Sequence, residues 1–314
     1  MRIIGPDALV FGVDDVPACA QYLTDYGLTP VGVGPQGGKF EALDGTAIFV
    51  RPKDDPTLPK AIETATMLRE TVYGVEDDAT LKAIETELAK DRDVRRTPDG
   101  ALLTVDDMGF ALRFQKTVRR PIDLPGEKVN APGSAPQRPA NQLGVDPAVA
   151  PKPRSLSHVV YFVPDAAKAE RFYQRLGFVT TDRFTHVGPF MRPAATQDHH
   201  TLFMIQTPPF MKGCEHFTFH VGGPTEMMLA GARFSAKGYQ TFWGPGRHLF
   251  GSNWFWYFNS PLGCHVEYDA DMDLHDDNWI AREAPMGADT SQLFLFTLRD
   301  KWAPSGPPPP RGVG

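Results

Sequence analysis

The sequence contains little cysteine. Three residues, Cys19, Cys214 and Cys264, stand far apart in the chain and form no CxxC pair. This scarcity argues against a disulfide framework and against a cysteine zinc site, and it is typical of proteins kept in a reducing compartment. The opening segment, MRIIGPDALVFGVDD, has too short an apolar run for a secretory signal. We therefore expect reduced thiols in a cytoplasmic protein.

Long apolar runs and basic blocks are also missing. No stretch approaches the roughly 20 apolar residues that a membrane-spanning helix requires. The contents of 41% hydrophobic and 22% charged residues are ordinary for a globular protein. A net charge of -6 argues against the basic surface of a nucleic-acid-binding protein. We therefore expect no membrane and no nucleic-acid partner, and a small molecule becomes the expected ligand.

What the sequence does contain is an internal repeat. Residues 9–28, LVFGVDDVPACAQYLTDYGL, align without a gap with residues 159–178, VVYFVPDAAKAERFYQRLGF. In each copy a strand-like run ends at an aspartate that can cap an amphipathic helix, and a glycine closes that helix. The capping residues are Asp15 and Gly27 in the first copy and Asp165 and Gly177 in the second. A period near 150 residues is too long for a solenoid and indicates duplication of a whole module.

Later segments extend the repeat. Residues 81–94 and 226–239 each predict a second helix, and strand-like runs close both copies. Prolines recur between the copies and indicate a linker, while the ending SGPPPPRGVG predicts a disordered tail. We therefore divide the chain into a first module at 1–118, a proline-rich linker at 119–154, a second module at 155–302 and a tail at 303–314.

The histidines are confined to the second copy, since all nine follow residue 157. His158, His216 and Glu267 lie in three separate strand-like runs, 58 and 51 residues apart. These intervals are too long for a helical HExxH motif or a zinc finger, so the three side chains can meet only through tertiary folding. Two imidazoles and a carboxylate on one face of a metal suit non-haem Fe(II) chemistry. Spacing alone leaves the assignment open.

Five motifs occur in order in the second copy. They are SHVVYFVPD around His158, DHHTLF around His200, EHFTFH around His216, GPGRHLFGSNWFWY from Gly244 to Tyr257, and GCHVEY around Glu267. Through these motifs, and over about residues 5–118 and 155–270, the chain resembles the type I extradiol dioxygenases of the vicinal oxygen chelate superfamily. The resemblance implies an α+β fold of tandem paired βαβββ modules that form two half-open barrels, of which the first is non-catalytic and the second catalytic.

The resemblance also implies a site and a reaction. The implied metal ligands are His158, His216 and Glu267, and the residues on the substrate and oxygen side are His200, His248 and Tyr257. The implied metal is Fe(II), with Mn(II) as an alternative, and the implied reaction is extradiol cleavage of a catechol-type ring in aromatic compound degradation. The expected partners are a small aromatic diol and O2, and we expect a homo-oligomer.

The proton transfers of the implied reaction suggest roles for His200, His248 and Tyr257. The ring must lose protons and the dioxygen must gain one, so a residue that titrates near neutrality is wanted on the oxygen side. His200 is the candidate for that residue. His248 and Tyr257 can hydrogen-bond the substrate oxygens and steady the anionic form.

Other polar residues receive more ordinary interpretations. If its segment is a strand, alternation would place His199 on the face opposite His200, so we interpret it as structural. His220 and His265 are expected to support the ligands or to pack beside them. Relatives often have a polar residue three positions after the match to His248, where this chain has Gly251. His186 and His275 are interpreted as surface or lid residues.

The substrate is only suggested by residue type. Aromatic bulk at Phe190, Trp243, Trp254 and Phe255 suits a substituted or bicyclic ring, and Arg192 is a candidate partner for a substrate carboxylate.

The first copy lacks the ligand types. By the register of the repeat, the matching positions are Ala8, Glu70 and Arg113, which cannot hold a metal together because alanine has no donor atom and arginine only donates hydrogen bonds. Glu70 and Arg113 are candidates for an ion pair in that cavity. We therefore expect one catalytic metal per chain.

Two other functions stay open. One is a glyoxalase-like or isomerase-like metal enzyme that uses Ni(II), Zn(II) or Mn(II), and oxygen uptake with a catechol would separate it from a dioxygenase. The other is a non-enzymatic binding protein of the bleomycin-resistance type, which needs no metal ligands, so metal analysis would decide.

Overall fold

The computed structural model describes residues 1–65 and 67–296. The expected tail at 303–314 and the end of the expected second module lie outside the described residues. The described chain forms two mixed β-sheets with short helices, so its class is α+β as predicted. None of the described helices is both long and apolar enough to cross a lipid bilayer.

The first sheet is an open, curved array of eight strands. Its strands are β1 Ile3–Val13, β2 Thr29–Gly34, β3 Gly37–Glu41, β4 Ala47–Pro52, β5 Leu68–Val75, β6 Arg95–Arg96, β7 Leu102–Val105 and β8 Ala111–Lys116, and its helices are α1 Val16–Tyr26 and α2 Asp78–Leu88. The strand order β2-β3-β4-β1-β5-β8-β7-β6 contains two βαβββ units joined by the antiparallel pair β1 and β5. Its concave side bounds a cavity of about 800 Å³.

The second sheet repeats this arrangement and extends it at both edges. Its strands are β9 Ser155–Val163, β10 Phe178–Thr185, β11 Gly188–Pro193, β12 Leu202–Gln206, β13 Gly213–His220, β14 Thr241–His248, β15 Trp254–Phe258, β16 His265–Ala270, β17 Arg282–Pro285 and β18 Gln292–Leu295. Its helices are α3 Ala166–Arg175, α4 Pro224–Ala236, α5 Ala288–Ser291 and a 3-10 turn at Pro209–Met211. The strand order is β17-β10-β11-β12-β9-β13-β16-β15-β14-β18.

The last described residues, 271–296, form a C-terminal strap around the second sheet. Strand β17 pairs with β10 at one edge, and β18 pairs with β14 at the other. The strap therefore runs from one edge of the open sheet to the other. Two of its residues, Met286 and Ser291, line the cavity that the sheet encloses.

The predicted caps of the repeated helix are confirmed in both modules. Asp15 and Asp165 each accept a hydrogen bond from the backbone N–H three residues later, at 2.9 and 2.8 Å. Gly27 and Gly177 follow the helices with φ angles of 112° and 86°, a left-handed conformation that costs least without a Cβ atom. The matching start and end of α1 and α3 place the two following strand sets in the same way.

The two modules share one core. Buried apolar residues from both sheets form a continuous cluster, in which the rings of Phe11 and Phe217 lie 5.6 Å apart. The hydroxyl groups of Thr71 and Tyr161 are hydrogen-bonded across the same interface at 2.5 Å. No helix or strand lies between Lys116 and Ser155, yet this stretch is attached to both modules. Arg119, for example, donates to the backbone oxygens of Pro6 and Leu156.

Strand register identifies the residues that occupy equivalent places in the two modules. In the second sheet Thr218 lies opposite both His158 and Glu267, and in the first sheet Val72 lies opposite both Ala8 and Arg113. Glu70, two positions before Val72, corresponds to His216. The positions inferred from the sequence repeat are therefore confirmed.

The expected ion pair between Glu70 and Arg113 is wrong. Arg113 donates to Asp99 at 2.5 Å and to Gln115 at 3.1 Å instead. Burial raises the pKa of Glu70, and the charge of Arg113 only partly opposes this effect. The described lining of the first cavity thus contains three acidic residues, Asp7, Glu70 and Asp93, and several cations, but no imidazole.

Candidate metal centre

Three neighbouring strands bring the predicted ligand side chains together. His158 lies on β9, His216 on β13 and Glu267 on β16, and all three are almost completely buried. The Nε2 atoms of the two histidines are 3.3 Å apart. Glu267 Oε2 lies 3.2 Å from His158 Nε2 and 3.5 Å from His216 Nε2. One oxygen and two nitrogens therefore form a compact triangle.

The triangle has the dimensions of a metal site. With metal–ligand distances of about 2.0–2.2 Å, adjacent ligand atoms should be about 3.0–3.5 Å apart. The second carboxylate oxygen, Glu267 Oε1, has no hydrogen-bond partner, and the nearest imidazole nitrogen, His248 Nε2, lies 3.5 Å away. A buried, incompletely paired carboxylate is costly, and a divalent cation would offset that cost. The residues present therefore fit such a metal.

The described residues contain no second group of this kind. Among histidine, cysteine, aspartate and glutamate side chains in residues 1–65 and 67–296, these three alone place their ligand atoms within 4.8 Å of one another. The three cysteines are free thiols, as predicted.

Further hydrogen bonds orient both imidazoles. Ser157 Oγ contacts His158 Nδ1 at 2.8 Å and donates its own hydrogen to Asp269 at 3.3 Å, so it must accept from His158. His216 Nδ1 is hydrogen-bonded to Glu215. Protonation of each Nδ1 leaves a lone pair on each Nε2 at the triangle. The hydroxyl of Thr218 also lies there, 2.9 Å from His158 Nε2, and donates to Glu267 Oε2 at 2.5 Å.

Glu215 is held in place from a second side. His265 Nδ1 contacts its other oxygen at 2.9 Å. Burial would raise the pKa of Glu215, but the charge and hydrogen bond of His216 and the hydrogen bond of His265 outweigh it and lower the pKa to about 2. Glu215 is therefore a carboxylate acceptor at neutral pH. His265 acts on the centre through this carboxylate, while His220 contacts Asp269 at 2.6 Å.

The triangle opens onto a mostly apolar cavity of about 310 Å³. Polar groups are confined to part of its wall. The apolar lining residues include Val160, Phe184, Phe190, Phe203, Ile205, Phe242, Trp243, Phe250 and Met286. The larger cavity of the first module lies elsewhere and has no ligand triangle beside an apolar wall. Cavity size alone therefore does not indicate the reactive site.

His200 lies in this cavity beside the triangle. Its ring centre is 4.2 Å from that of His158, and the side chain is buried. Burial, together with the neighbouring imidazoles, holds the pKa of His200 well below its usual value. His200 is therefore neutral at physiological pH.

His248 and Tyr257 form a hydrogen-bonded pair on another part of the wall. His248 Nδ1 lies 2.8 Å from the backbone oxygen of Ser291, so it must carry the hydrogen. Its Nε2 then accepts from the hydroxyl of Tyr257 at 3.1 Å. Burial and the charge of Glu267 raise the pKa of Tyr257, which stays a protonated donor. Sequence patterns did not identify Ser291, because it belongs to the irregular strap.

The interpretation of His199 needs correction. Its segment is a turn between β11 and β12 rather than a strand, so alternation does not apply. His199 Nδ1 contacts His200 Nδ1 at 2.9 Å, and His199 Nε2 contacts Asp182 at 2.9 Å. A Cβ atom on Gly251 would lie only 3.0 Å from His199, and its φ of 79° also favours glycine. The departure at Gly251 therefore leaves room for His199.

Two further expectations are wrong. Arg192 does not face the cavity, because its guanidinium donates to the backbone oxygens of residues 193, 194, 196 and 276. Of the two interpretations of His275, surface or lid, the first is wrong, because His275 is buried and stacks on Trp279 within the strap. Phe190 and Trp243 line the cavity as expected, whereas Trp254 and Phe255 are absent from its described lining.

Comparison with known proteins agrees with the fold. Residues 155–268 match the family model described as the Glyoxalase/Bleomycin resistance protein/Dioxygenase superfamily. A curated relative, metapyrocatechase 2 from Cupriavidus necator, is 36% identical over 122 residues. That alignment spans 38% of this chain and 38% of the relative.

Solved structures resemble almost the whole chain. A halotolerant catechol dioxygenase, BphC, has a TM-score of 0.72 at 17% identity and covers 94% of each chain. The Mn(II)-bound glyoxalase from Novosphingobium aromaticivorans has a TM-score of 0.70 at 21% identity, with coverage of 93% of this chain and 90% of the other. At such low sequence identities, these TM-scores show a shared fold. The second module is therefore similar to the Glyoxalase/Bleomycin resistance protein/Dioxygenase superfamily over residues 155–268, and the chain shares its fold with these two solved structures.

Proposed function

We propose that this protein is an extradiol dioxygenase that uses Fe(II) and O2 to cleave a catechol-type ring. One observation carries the proposal: a buried triangle of two imidazoles and one carboxylate opens onto an apolar cavity that also contains His200, His248 and Tyr257. Three ligands from one side leave positions free for a diol and for dioxygen. The names of metapyrocatechase 2 and of the catechol dioxygenase BphC support the same activity.

The metal and the protein contribute different chemistry. A bound Fe(II) would supply the redox chemistry that the reaction of an aromatic diol with dioxygen requires. His158, His216 and Glu267 would hold it, and the hydrogen bonds at each Nδ1 keep both imidazoles in the ligand tautomer. Mn(II) suits the same ligand set, so the choice of Fe(II) rests on the proposed reaction.

The remaining polar residues handle protons. Neutral His200 is able to take a proton from the substrate and later return it on the oxygen side. Tyr257 remains protonated, because burial and Glu267 raise its pKa. Its one hydroxyl hydrogen can turn from His248 Nε2 to an anionic substrate oxygen. The carbonyl of Ser291 fixes His248 so that its Nε2 faces Tyr257. Together these groups favour the anionic form of a bound diol.

The cavity wall favours a catechol with an apolar substituent. Neither lysine nor arginine is among its described lining residues, so a substrate carboxylate would be left without a cationic partner. The rings of Phe190 and Phe203 stack at 3.9 Å, and Phe184 packs against Phe190 at 5.4 Å. An alkyl or aryl group is the complementary chemistry for this aromatic wall.

The same fold also occurs in a Mn(II)-bound glyoxalase, so the fold alone does not select the reaction. The site favours a dioxygenase, since the cavity provides proton-handling groups beside the metal triangle. A binding protein of the bleomycin-resistance type would have no use for a buried ligand triangle.

Oxygen consumption is the direct test. The purified protein is loaded with Fe(II) without oxygen and then given catechol, a 3-alkylcatechol or 3,4-dihydroxyphenylacetate in an oxygen electrode. We expect one O2 consumed per ring, a yellow ring-fission product, and higher kcat/KM for the alkylcatechol than for the carboxylate. Absence of oxygen uptake with every diol would overturn the activity, whereas equal use of the carboxylate would overturn only the substrate class.

Variants connect this activity to the triangle. His158→Ala, His216→Ala and Glu267→Ala should each lose tightly bound iron and oxygen uptake together while keeping the fold by circular dichroism. His186→Asn is the matched control, because His186 is exposed in a turn and asparagine tolerates its φ of 62°. Full activity in any triangle variant would contradict the ligand assignment.

A further inference from the structure

A buried hydrogen-bond chain leads from the strap to His200. His200 Nδ1 contacts His199 Nδ1, and His199 Nε2 contacts Asp182 Oδ2, each at 2.9 Å. Asp182 also accepts from Arg282, through the backbone N–H at 2.7 Å and through the guanidinium Nη2 at 2.5 Å. His199 and Asp182 are completely buried. These hydrogen bonds thus connect His200, in the cavity, to the ion pair of Asp182 and Arg282. The carboxylate of that pair is not exposed to solvent.

The ionisation of Asp182 determines which ring nitrogens carry hydrogens along this hydrogen-bond chain. Burial would raise the pKa of Asp182, but hydrogen bonds from His199 and Arg282 outweigh it and lower the pKa. An ionised carboxylate only accepts hydrogen bonds, so His199 Nε2 must carry a hydrogen. Burial keeps the pKa of His199 below its usual value despite Asp182, so the ring is neutral and its Nδ1 is bare.

A bare His199 Nδ1 can only accept, and the hydrogen in its contact with His200 must therefore belong to His200 Nδ1. A neutral imidazole carries one ring hydrogen. His200 Nε2 is then a bare acceptor, and no described residue is hydrogen-bonded to it. Since His200 lines the cavity, this nitrogen is the one available to a ligand.

We propose that Asp182 and His199 are positioning residues that fix His200 in the Nδ1–H tautomer and present its bare Nε2 to the hydroxyl of a bound catechol. This inference rests on the proposed function for the identity of the ligand, but the tautomer is a property of the protein alone. The opposite tautomer would present an N–H, which cannot accept a hydrogen bond from a hydroxyl. Arg282, through Asp182, couples this arrangement to β17 of the strap.

The substitution Asp182→Asn should reverse the donor and acceptor roles of the hydrogen bonds from Asp182 to His200. In Asp182→Asn the amide oxygen should keep the position of Oδ1, because the backbone N–H of Arg282 donates there and cannot turn away. The guanidinium of Arg282, which donates to Oδ2, is 40% exposed and can turn into solvent. The amide NH2 then replaces Oδ2, which faces His199 Nε2. His199 would have to accept there and donate from Nδ1, and His200 would carry its hydrogen on Nε2.

Arg282→Gln is the matched control. It removes the guanidinium partner and weakens the attachment of β17 to β10, as Asp182→Asn does. It leaves the carboxylate of Asp182 facing His199, however, so the tautomer of His200 should not change. A general loosening of the strap would affect both variants alike.

The test uses full-length protein labelled with 15N at histidine and loaded with Zn(II), a diamagnetic probe of the metal site. Two-bond 1H–15N spectra distinguish protonated from bare ring nitrogens, and His200→Asn identifies the signals of His200. We expect Nδ1–H in the wild type and in Arg282→Gln, and Nε2–H in Asp182→Asn. A wild-type His200 with Nε2–H, or an unchanged tautomer in folded Asp182→Asn, would overturn the proposal.

Kinetics give a second readout in the iron-loaded enzyme. Reversal of the tautomer should lower kcat/KM for a catechol by about 10²-fold or more in Asp182→Asn, within the usual range for a displaced general acid–base group. Iron content should stay at the wild-type level, because neither Asp182 nor His199 contacts the metal-ligand triangle. Wild-type kcat/KM in Asp182→Asn would contradict the positioning role. If wild-type protein cleaves no diol, the proposed function fails, whereas the spectra still decide the tautomer.

Discussion

Tyr26 of the first module donates a hydrogen bond to the backbone oxygen of Glu267, 241 residues later, at 2.5 Å. The next residue, Tyr268, donates back to the backbone oxygen of Tyr26 at 2.7 Å. Their rings stack with centres 3.9 Å apart and planes 6° from parallel. Helix α1 thus holds the strand that carries the carboxylate of the triangle, so the first module acts directly on the geometry of the second.

Tyr26→Phe should therefore weaken metal binding. The substitution keeps the stacked ring but removes the donor to Glu267, which frees β16 to shift. We expect about a tenfold loss of metal affinity, the lower end for groups that orient ligands, and a loss of about 1–3 kcal/mol in the free energy of unfolding. Competition with a chelator and chemical denaturation measure these quantities.

Tyr173→Phe is the control for this prediction. Tyr173 is also buried at the module interface, where its hydroxyl donates to Asp106 at 3.3 Å, but it does not contact β16. It should lower stability without a change in metal affinity. Equal losses of metal affinity in the two variants would show that Tyr26 acts only through general stability.

His200→Asn should separate chemistry from binding. Asparagine keeps hydrogen-bonding capacity but removes the group that can take and return a proton. We expect kcat to fall by about 10²–10⁴-fold, while iron content and anaerobic binding of the catechol change little. Stopped-flow absorbance and iron analysis measure these effects. Unchanged turnover across the pH range would remove His200 from the mechanism.

Metal stoichiometry should be one per chain. The first module places Ala8, Glu70 and Arg113 at the positions that correspond to the triangle, and Arg113 carries a permanent positive charge there. Elemental analysis after anaerobic reconstitution and gel filtration should give one equivalent in the wild type and none in His158→Ala. Two retained equivalents, one of them surviving this substitution, would show a working site in the first module.

Asp106 should make stability depend on pH. Burial raises the pKa of this carboxyl to about 6, despite hydrogen bonds from the backbone N–H groups of Phe110 and Met108. Between about pH 4 and pH 6 the folded chain retains a proton that the unfolded chain has lost, so this contribution to the free energy of unfolding decreases as the pH rises. At about 1.4 kcal/mol per pH unit, the decrease is about 3 kcal/mol.

Asp106→Asn does not titrate and should abolish this decrease. The stability of the wild type relative to the variant should therefore fall between pH 4 and pH 6 and then become constant. Urea denaturation at several pH values measures the difference. A constant difference over this interval would show that the carboxyl ionises at its ordinary pH in the folded protein.

The repeat made much of the fold predictable. Aspartate caps and closing glycines recur at fixed offsets, and alternation in strands fixes which side chains share a face. The same regularity brought Ala8, Glu70 and Arg113 into register with the ligand positions. Element ends were less accurate. The helix predicted at 81–94 starts at Asp78, which follows the cap Asp77, and ends at Leu88.

The support of the site was not predictable from local pattern. Asp182 and Ser291 act through contacts that join residues far apart in the chain, and neither lies in a recognisable motif. The expected orientation of His199 held only for a strand, and its segment is a turn. Arg192 was misinterpreted because backbone carbonyls, which sequence does not display, occupy its donors.

The order of elements along the chain also bears on how the site is assembled. All three residues of the triangle precede residue 268, whereas the strap begins at residue 271. Translation adds about 5–20 residues per second from the amino-terminal end. A nascent chain therefore possesses its complete ligand set before β17 and β18 have been made. The ligands of the triangle are thus made before the strap that covers part of them, since in the finished protein Met286 and Ser291 of the strap line the cavity beside the triangle.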